Sequence, residues 1–188
     1  MVSKKYLKDY NVERTPDEKG RMRNRAVYVG GYYTFSPPVS KADKLIIALL
    51  TVISGFAFIG VFILRTQAAH IWYVMLPFVL TMLPLYFLFI AAFSLLFSKE
   101  VMIRYDSDRI SSRMCPSALI STVLAAVSLI GFIIALFTTQ EKFAADDLLF
   151  CILALVVAAA SAVVYWKFRL VKAVKTDKTI EMDDERVY

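Results

Sequence analysis

Hydrophobic and polar positions in this chain fall into long blocks instead of alternating within short elements. Four apolar runs, residues 45–64, 71–97, 117–138 and 148–166, contain no Asp, Glu, Lys or Arg. A helix rises about 1.5 Å per residue, so about 20 apolar residues cross the roughly 30 Å hydrocarbon layer of a bilayer. A soluble bundle would show polar faces at helical spacing, and these runs have none. The pattern predicts an all-α membrane protein, a four-helix transmembrane bundle running up-down-up-down.

The polar blocks between the runs predict the remaining elements. Residues 1–25 are highly charged and carry the breakers Thr15-Pro16-Asp17 and Lys19-Gly20, which points to a loosely ordered segment. Strand formers at 26–29 and 32–35 flank Gly30-Gly31, a β-hairpin signal over 26–36. Tyr28, Tyr32, Tyr33 and Phe35 also suit an interfacial aromatic belt. Pro37 and Pro38 end this segment, and Ser40 is placed to cap the first helix. In the central loop 98–116, a strand-like stretch at 101–105 and another at 109–111 around Asp106-Ser107-Asp108 predict a second short hairpin. Beyond the fourth run, helix is expected to continue through 167–172 with basic side chains at the interface, followed by a polar tail. The organisation is then an N-terminal segment 1–40, a four-span domain 41–168 and a tail 169–188.

Charge turns this pattern into an oriented one. Segments 1–44, 98–116 and 167–188 hold ten, four and six Lys or Arg residues, whereas the two short connections hold only Arg65 and Lys142. Basic residues collect on the cytoplasmic side, so both termini and the central loop are expected there, in a multi-pass protein of the cell membrane. The first run lies too far from the N-terminus for a cleaved signal peptide and is expected to be retained. The net charge of +6 is interleaved with carboxylates and concentrated beside spans. Anionic lipid headgroups explain it better than nucleic acid. Lys4, Lys5, Lys8, Arg14, Lys19, Arg21, Arg23 and Arg25 form the strongest candidate for such contact. Cys115 and Cys151 fall at opposite membrane faces and are not expected to pair.

Candidate chemistry is sparse. Ionisable groups within spans flag ion paths or proton relays, and the runs have none. There is no phosphate-binding glycine loop, Ser–His–Asp set, zinc-spaced cysteine pair or HExxH, so no catalytic, cofactor or metal residue is expected. His70 with Glu141, Asp146 and Asp147 at the outer connections is a weak candidate for a metal or pH-sensing site. Asp146 and Asp147 suit the N-terminus of the fourth helix better, where the macrodipole favours anions. The cysteine signatures of tetraspanins and claudins, and the embedded glutamate of small multidrug exporters, are absent.

Small residues carry more information, because helices in lipid associate through close packing. Candidate packing positions are Gly55 and Gly60 in the first run, Ser121, Ala125, Ser128, Gly131 and Ala135 in the third, and Ala154 and Ala158 in the fourth. The 27-residue second run carries Pro77, Thr81 and Pro84 on one face, a candidate hinge. Its bulky residues, Trp72, Tyr73, Phe78, Tyr86, Phe87 and Phe89, are expected on an outer face toward lipid or a partner. Ile59-Gly60 and Ile130-Gly131 match at an offset of 71 residues, a faint hint of duplicated halves. Candidate cytoplasmic contacts are Tyr28, Tyr32, Tyr33, Phe35, Arg104 and Tyr105. The best functional expectation is a non-catalytic accessory or scaffold subunit whose partners are the lipid bilayer and another membrane protein or a second copy. The alternative is an oligomeric transporter or channel whose path is lined by Thr81, Ser121 and Ser128.

Overall fold

In the computed structural model, which describes residues 8–16, 22–138 and 145–176, each apolar run becomes helix. They are α1 (Lys41–Val61), a broken helix α2 (Trp72–Leu80) plus α3 (Met82–Leu96), α4 (Arg104–Thr138) and α5 (Ala145–Phe168). By length and composition all four are able to cross a membrane, counting Trp72–Leu96 as one. Ser40 caps α1 as its position predicts: its Oγ accepts from the Asp43 N–H at 3.1 Å and donates to Asp43 Oδ2 at 2.8 Å. Asp146 and Asp147 occupy the first turn of α5, where the orphan N–H groups favour negative charge.

The helices form a ring in which α1 packs on α3, α3 on α4, α4 on α5, and α5 on α1. In every helix the buried positions follow spacings of three and four. They run Ile47, Thr51, Ser54, Phe58 and Val61 in α1, and Val74, Phe78, Thr81, Leu85, Leu88, Ala92 and Leu95 through α2 and α3. In α5 the series is Asp147, Phe150, Ala154, Val157, Ser161, Val164 and Phe168. Such spacings mark the face along which one helix packs on the next. The seam of α4 is dominated by small residues, with Ser121, Ala125, Ser128, Gly131 and Ala135 all buried, while Val123, Val127, Ile130, Ile133 and Ile134 are exposed. Close approach of backbones, not hydrophobicity, selects what goes inside.

One ring from each of the four helices meets inside the bundle, toward the end where α1 and α4 finish and α2 and α5 begin. Phe58 of α1 stacks on Phe78 of α2 at 5.2 Å between centroids; Phe78 meets Phe150 of α5 at 5.5 Å, and Phe150 meets Phe132 of α4 at 5.7 Å. Phe78 is therefore fully buried, which corrects its expected place on an outer face. It lies one turn from Val74 and Thr81 on the packing seam. Trp72, Tyr86 and Phe89 do lie outward.

Five strands gather at the end of the bundle where α1 begins and α5 ends. β1 (Tyr10–Pro16) pairs antiparallel with β2 (Met22–Tyr28), from Tyr10 opposite Tyr28 to Pro16 opposite Met22. β3 (Tyr32–Ser36) is the centre of a second sheet, flanked by β4 (Met102–Ile103) and β5 (Lys172–Thr176), both antiparallel to it. Four sequence expectations are corrected here. The two strands around Gly30-Gly31 do not pair with each other, because each finds a longer partner: β2 takes β1, and β3 takes β5 over five residue pairs. The central loop forms no hairpin, since only Met102–Ile103 is strand and helix begins at Arg104. Helix does not continue through 167–172 either; α5 ends at Phe168, and after a turn the chain returns as β5. Part of the segment expected to be loosely ordered is the ordered strand β1.

Candidate functional site

The sheet end holds the residues that the sequence marks as contacts, and a single tyrosine ties them together. The Tyr28 hydroxyl donates to the Gly31 carbonyl at 2.8 Å and accepts from the Arg104 N–H at 3.1 Å. Its ring lies edge-on to Tyr10 at 5.3 Å and to Tyr32 at 5.5 Å. A Cβ at Gly30 would come within 2.6 Å of the Tyr28 ring, so glycine is what lets the side chain fold back over its own strand end. The Asp9 carbonyl accepts from the Val29 and Gly30 N–H groups at 2.9 and 3.2 Å, and the Asp9 carboxylate lies 3.8 Å from the Arg104 guanidinium. Burial pushes the Tyr28 phenol above its ordinary value of 10.0, partly offset by the hydrogen bond from Arg104. Tyr28 thus links both sheets to the first residue of α4, and Gly30-Gly31 is a crossing between sheets.

The other marked residues take separate places. Phe35 is buried and packs edge-on against Phe168, the last residue of α5, at 5.6 Å, so β3 caps the bundle. Tyr32 and Tyr33 pair with Ile103 and Met102 in the ladder, while Tyr105 stays exposed on the first turn of α4. Two lysines fasten helix ends nearby. Lys44 donates to the Ser98 carbonyl at 2.7 Å and to its hydroxyl at 3.0 Å, just past the C-terminus of α3, where positive charge suits the dipole. Lys167 at the end of α5 reaches Asp43 at the start of α1 at 2.5 Å. Of the basic patch expected to meet headgroups, Lys4, Lys5, Lys19 and Arg21 lie outside the described residues.

Midway along the bundle, the proline face of the second span is the site of a break. Pro77 lacks the N–H that would bond to the Tyr73 carbonyl. Gly131 of α4 fits against that carbonyl so closely that a Cβ would stand 3.2 Å from it. Ser128, one turn earlier, donates to the Val74 carbonyl at 2.8 Å. At the break itself the Thr81 N–H bonds three residues back to Phe78 at 3.1 Å, and the Thr81 hydroxyl donates to the same carbonyl. Pro84 sits in the first turn of α3, where its missing N–H costs nothing. Thr81 and Pro84 are buried and Pro77 half-buried. Among the packing candidates, Gly60 faces Leu153 of α5 and Gly55 faces Phe89 of α3; Ala154 is buried and Ala158 half-buried.

At the opposite end, Asp147 is the one fully buried ionisable side chain among the described residues. Its Oδ1 accepts from the Ala68 N–H at 3.2 Å, joining the start of α5 to the 3-10 turn Gln67–His70 that Thr66 caps. Among the described residues no three of His, Cys, Asp and Glu stand close enough to hold a metal; Glu141 lies outside them. Cys115 and Cys151 are unbonded to each other. Comparison with protein-family models, with curated proteins and with solved structures gave no match.

What sequence reasoning missed is β1, β5 and the node at Asp9. Tyr10 and Val12 alternate with polar residues ahead of the turn formers Pro16 to Gly20, a signal of period two that highly charged surroundings obscured. Lys172 to Thr176, Lys-Ala-Val-Lys-Thr, has no such alternation, and its strand comes from pairing with β3.

Proposed function

We propose that the chain is a non-catalytic accessory or scaffold subunit of a membrane complex, a four-span protein of the cell membrane with its sheet end in the cytoplasm. The observation that carries this reading is a bundle closed at one end by aromatic rings and capped at the other by sheet. Phenylalanines from all four helices meet near the end opposite the sheets, and the hydroxyls of Thr81 and Ser128 are spent on backbone carbonyls instead of lining a path. Above the bundle stands a folded sheet whose outer strand β5 has β3 as its one partner among the described strands. A strand edge of that kind accepts a segment of another chain by backbone hydrogen bonding. Affinity purification from mild detergent at native expression tests the reading. A stoichiometric membrane partner is expected; recovery of the isolated chain alone overturns it.

A second reading, an oligomeric transporter or channel, draws on Ser121 and Ser161. Their hydroxyls are fully buried on the facing helices α4 and α5 with no hydrogen-bond partner. Unpaired polar groups in such a place are costly unless water or a solute meets them. Purified protein in liposomes would then carry flux that Ser121→Ala abolishes, and absence of flux removes this reading.

A further inference from the structure

The cleft between the start of α1 and the end of α5 has the chemistry of a lipid headgroup site. It encloses about 410 Å³, within the range of small-ligand sites, and opens to the outside of the bundle. Its walls are apolar, from Pro37, Pro38, Ile47, Trp166 and Leu170, and the Asp43–Lys167 ion pair lies among them. Trp166 and Leu170 are 70% and 68% exposed, large apolar side chains with no protein over them. The cleft sits where the apolar runs of α1 and α5 begin and end, the depth at which tryptophan is enriched in membranes.

Charge decides which lipid suits it. Against the single carboxylate of Asp43, these two segments carry Lys41, Lys167, Arg169 and Lys172. Lys167 is held by Asp43, whereas the Arg169 guanidinium, on the cleft wall, and the Lys172 ammonium, one residue beyond it, have no hydrogen-bond or ion-pair partner among the described residues. Arginine matches phosphate oxygens with a planar fork of donors. We infer that this cleft binds one anionic phospholipid, its phosphate on Arg169 and Lys172 and the top of its acyl chain along Trp166, Ile47 and Leu170.

Trp166 is its own reporter, since Trp72 is the one other tryptophan. The full chain carrying Trp72→Phe is reconstituted into vesicles containing a small mole fraction of phospholipid brominated on its chains, either phosphatidylglycerol or phosphatidylcholine. Trp166 fluorescence is expected to be quenched preferentially by the brominated phosphatidylglycerol. Arg169→Gln and Lys172→Gln should each lower that preference about fivefold, the factor for about 1 kcal/mol per basic group at an anionic surface. Equal quenching by the two lipids, quenching by neither, or a preference undiminished in the Arg169→Gln/Lys172→Gln variant overturns the inference.

Discussion

At the scale of single residues, Tyr28 shows how one hydroxyl organises the sheet end. It donates to Gly31 and accepts from Arg104, which lies 76 residues from Tyr28 in the chain. Tyr28→Phe keeps the ring contacts but strands a backbone donor, a loss of about 1–2 kcal/mol. Faster hydrogen exchange at residues 28–31 and at Arg104, with the spans unchanged, is the expected readout. Burial of the same hydroxyl gives the cap a pH dependence. Because burial raises the phenol above 10.0, the folded cap holds the proton more tightly than the unfolded chain does. Its stabilisation is complete below pH 10 and is lost as pH rises through the folded value. Alkaline titration should therefore show a late tyrosine ionisation that coincides with release of the β1–β2 hairpin, and Tyr28→Phe should remove that late step. The sequence marked Tyr28 as an aromatic at a surface but not as a hydrogen-bonding node, since Asp9 and Arg104 reach it through tertiary structure.

Among elements, the second span shows how a broken helix is held. Phe78 sits just before the break, stacks on Phe58 of α1 and meets Phe150 of α5 edge-on. In the membrane placement proposed above, the transfer of apolar surface from water contributes little, so Phe78→Ala is governed by the cavity it leaves, about 2 kcal/mol at roughly 24 cal/mol per Å³. Phe89→Ala, on the outward face, should change resistance to denaturing detergent little by comparison; equal losses would contradict the burial of Phe78. Gly131→Leu should be more damaging than either, because a Cβ already meets the Tyr73 carbonyl at 3.2 Å and backbone cannot yield as a side chain can. Gly55→Ala has room, its Cβ meeting Phe89 at 3.8 Å, and should be neutral. The break at Thr81 was legible from Pro77, Thr81 and Pro84, since a missing N–H is a local property. Which carbonyls it would free, and that Gly131 and Ser128 of α4 would meet them, depends on the register between two helices.

At the scale of the whole molecule, the sheets stand at one end of the bundle, and the sequence segments 1–44, 98–116 and 167–188 hold twenty of the 22 Lys and Arg residues. The orientation proposed from that bias is open to a direct check. In a variant with Cys115→Ser and Cys151→Ser, an impermeant thiol reagent applied to intact cells should label His70→Cys at once, and Val12→Cys only after permeabilisation. The reverse pattern would invert the protein. The four apolar helices and their approximate ends were determined by the sequence alone, because crossing a hydrocarbon layer is a matter of length and composition that no distant contact alters. The inward face of α4 was legible too, through its small residues. The inward faces of the other helices were legible only in part, at Thr81, Pro84 and Ala154, because apolar side chains on either face give hydropathy no contrast, as the misplaced Phe78 shows. Only the tertiary structure decided the cap: β3 finds β5 across 136 residues, at a distance fixed by the return of the fourth helix to the starting end. Local propensity named the strands around Gly30-Gly31, but strand pairing is a contest between partners, and it was won by chains that the bundle brings together.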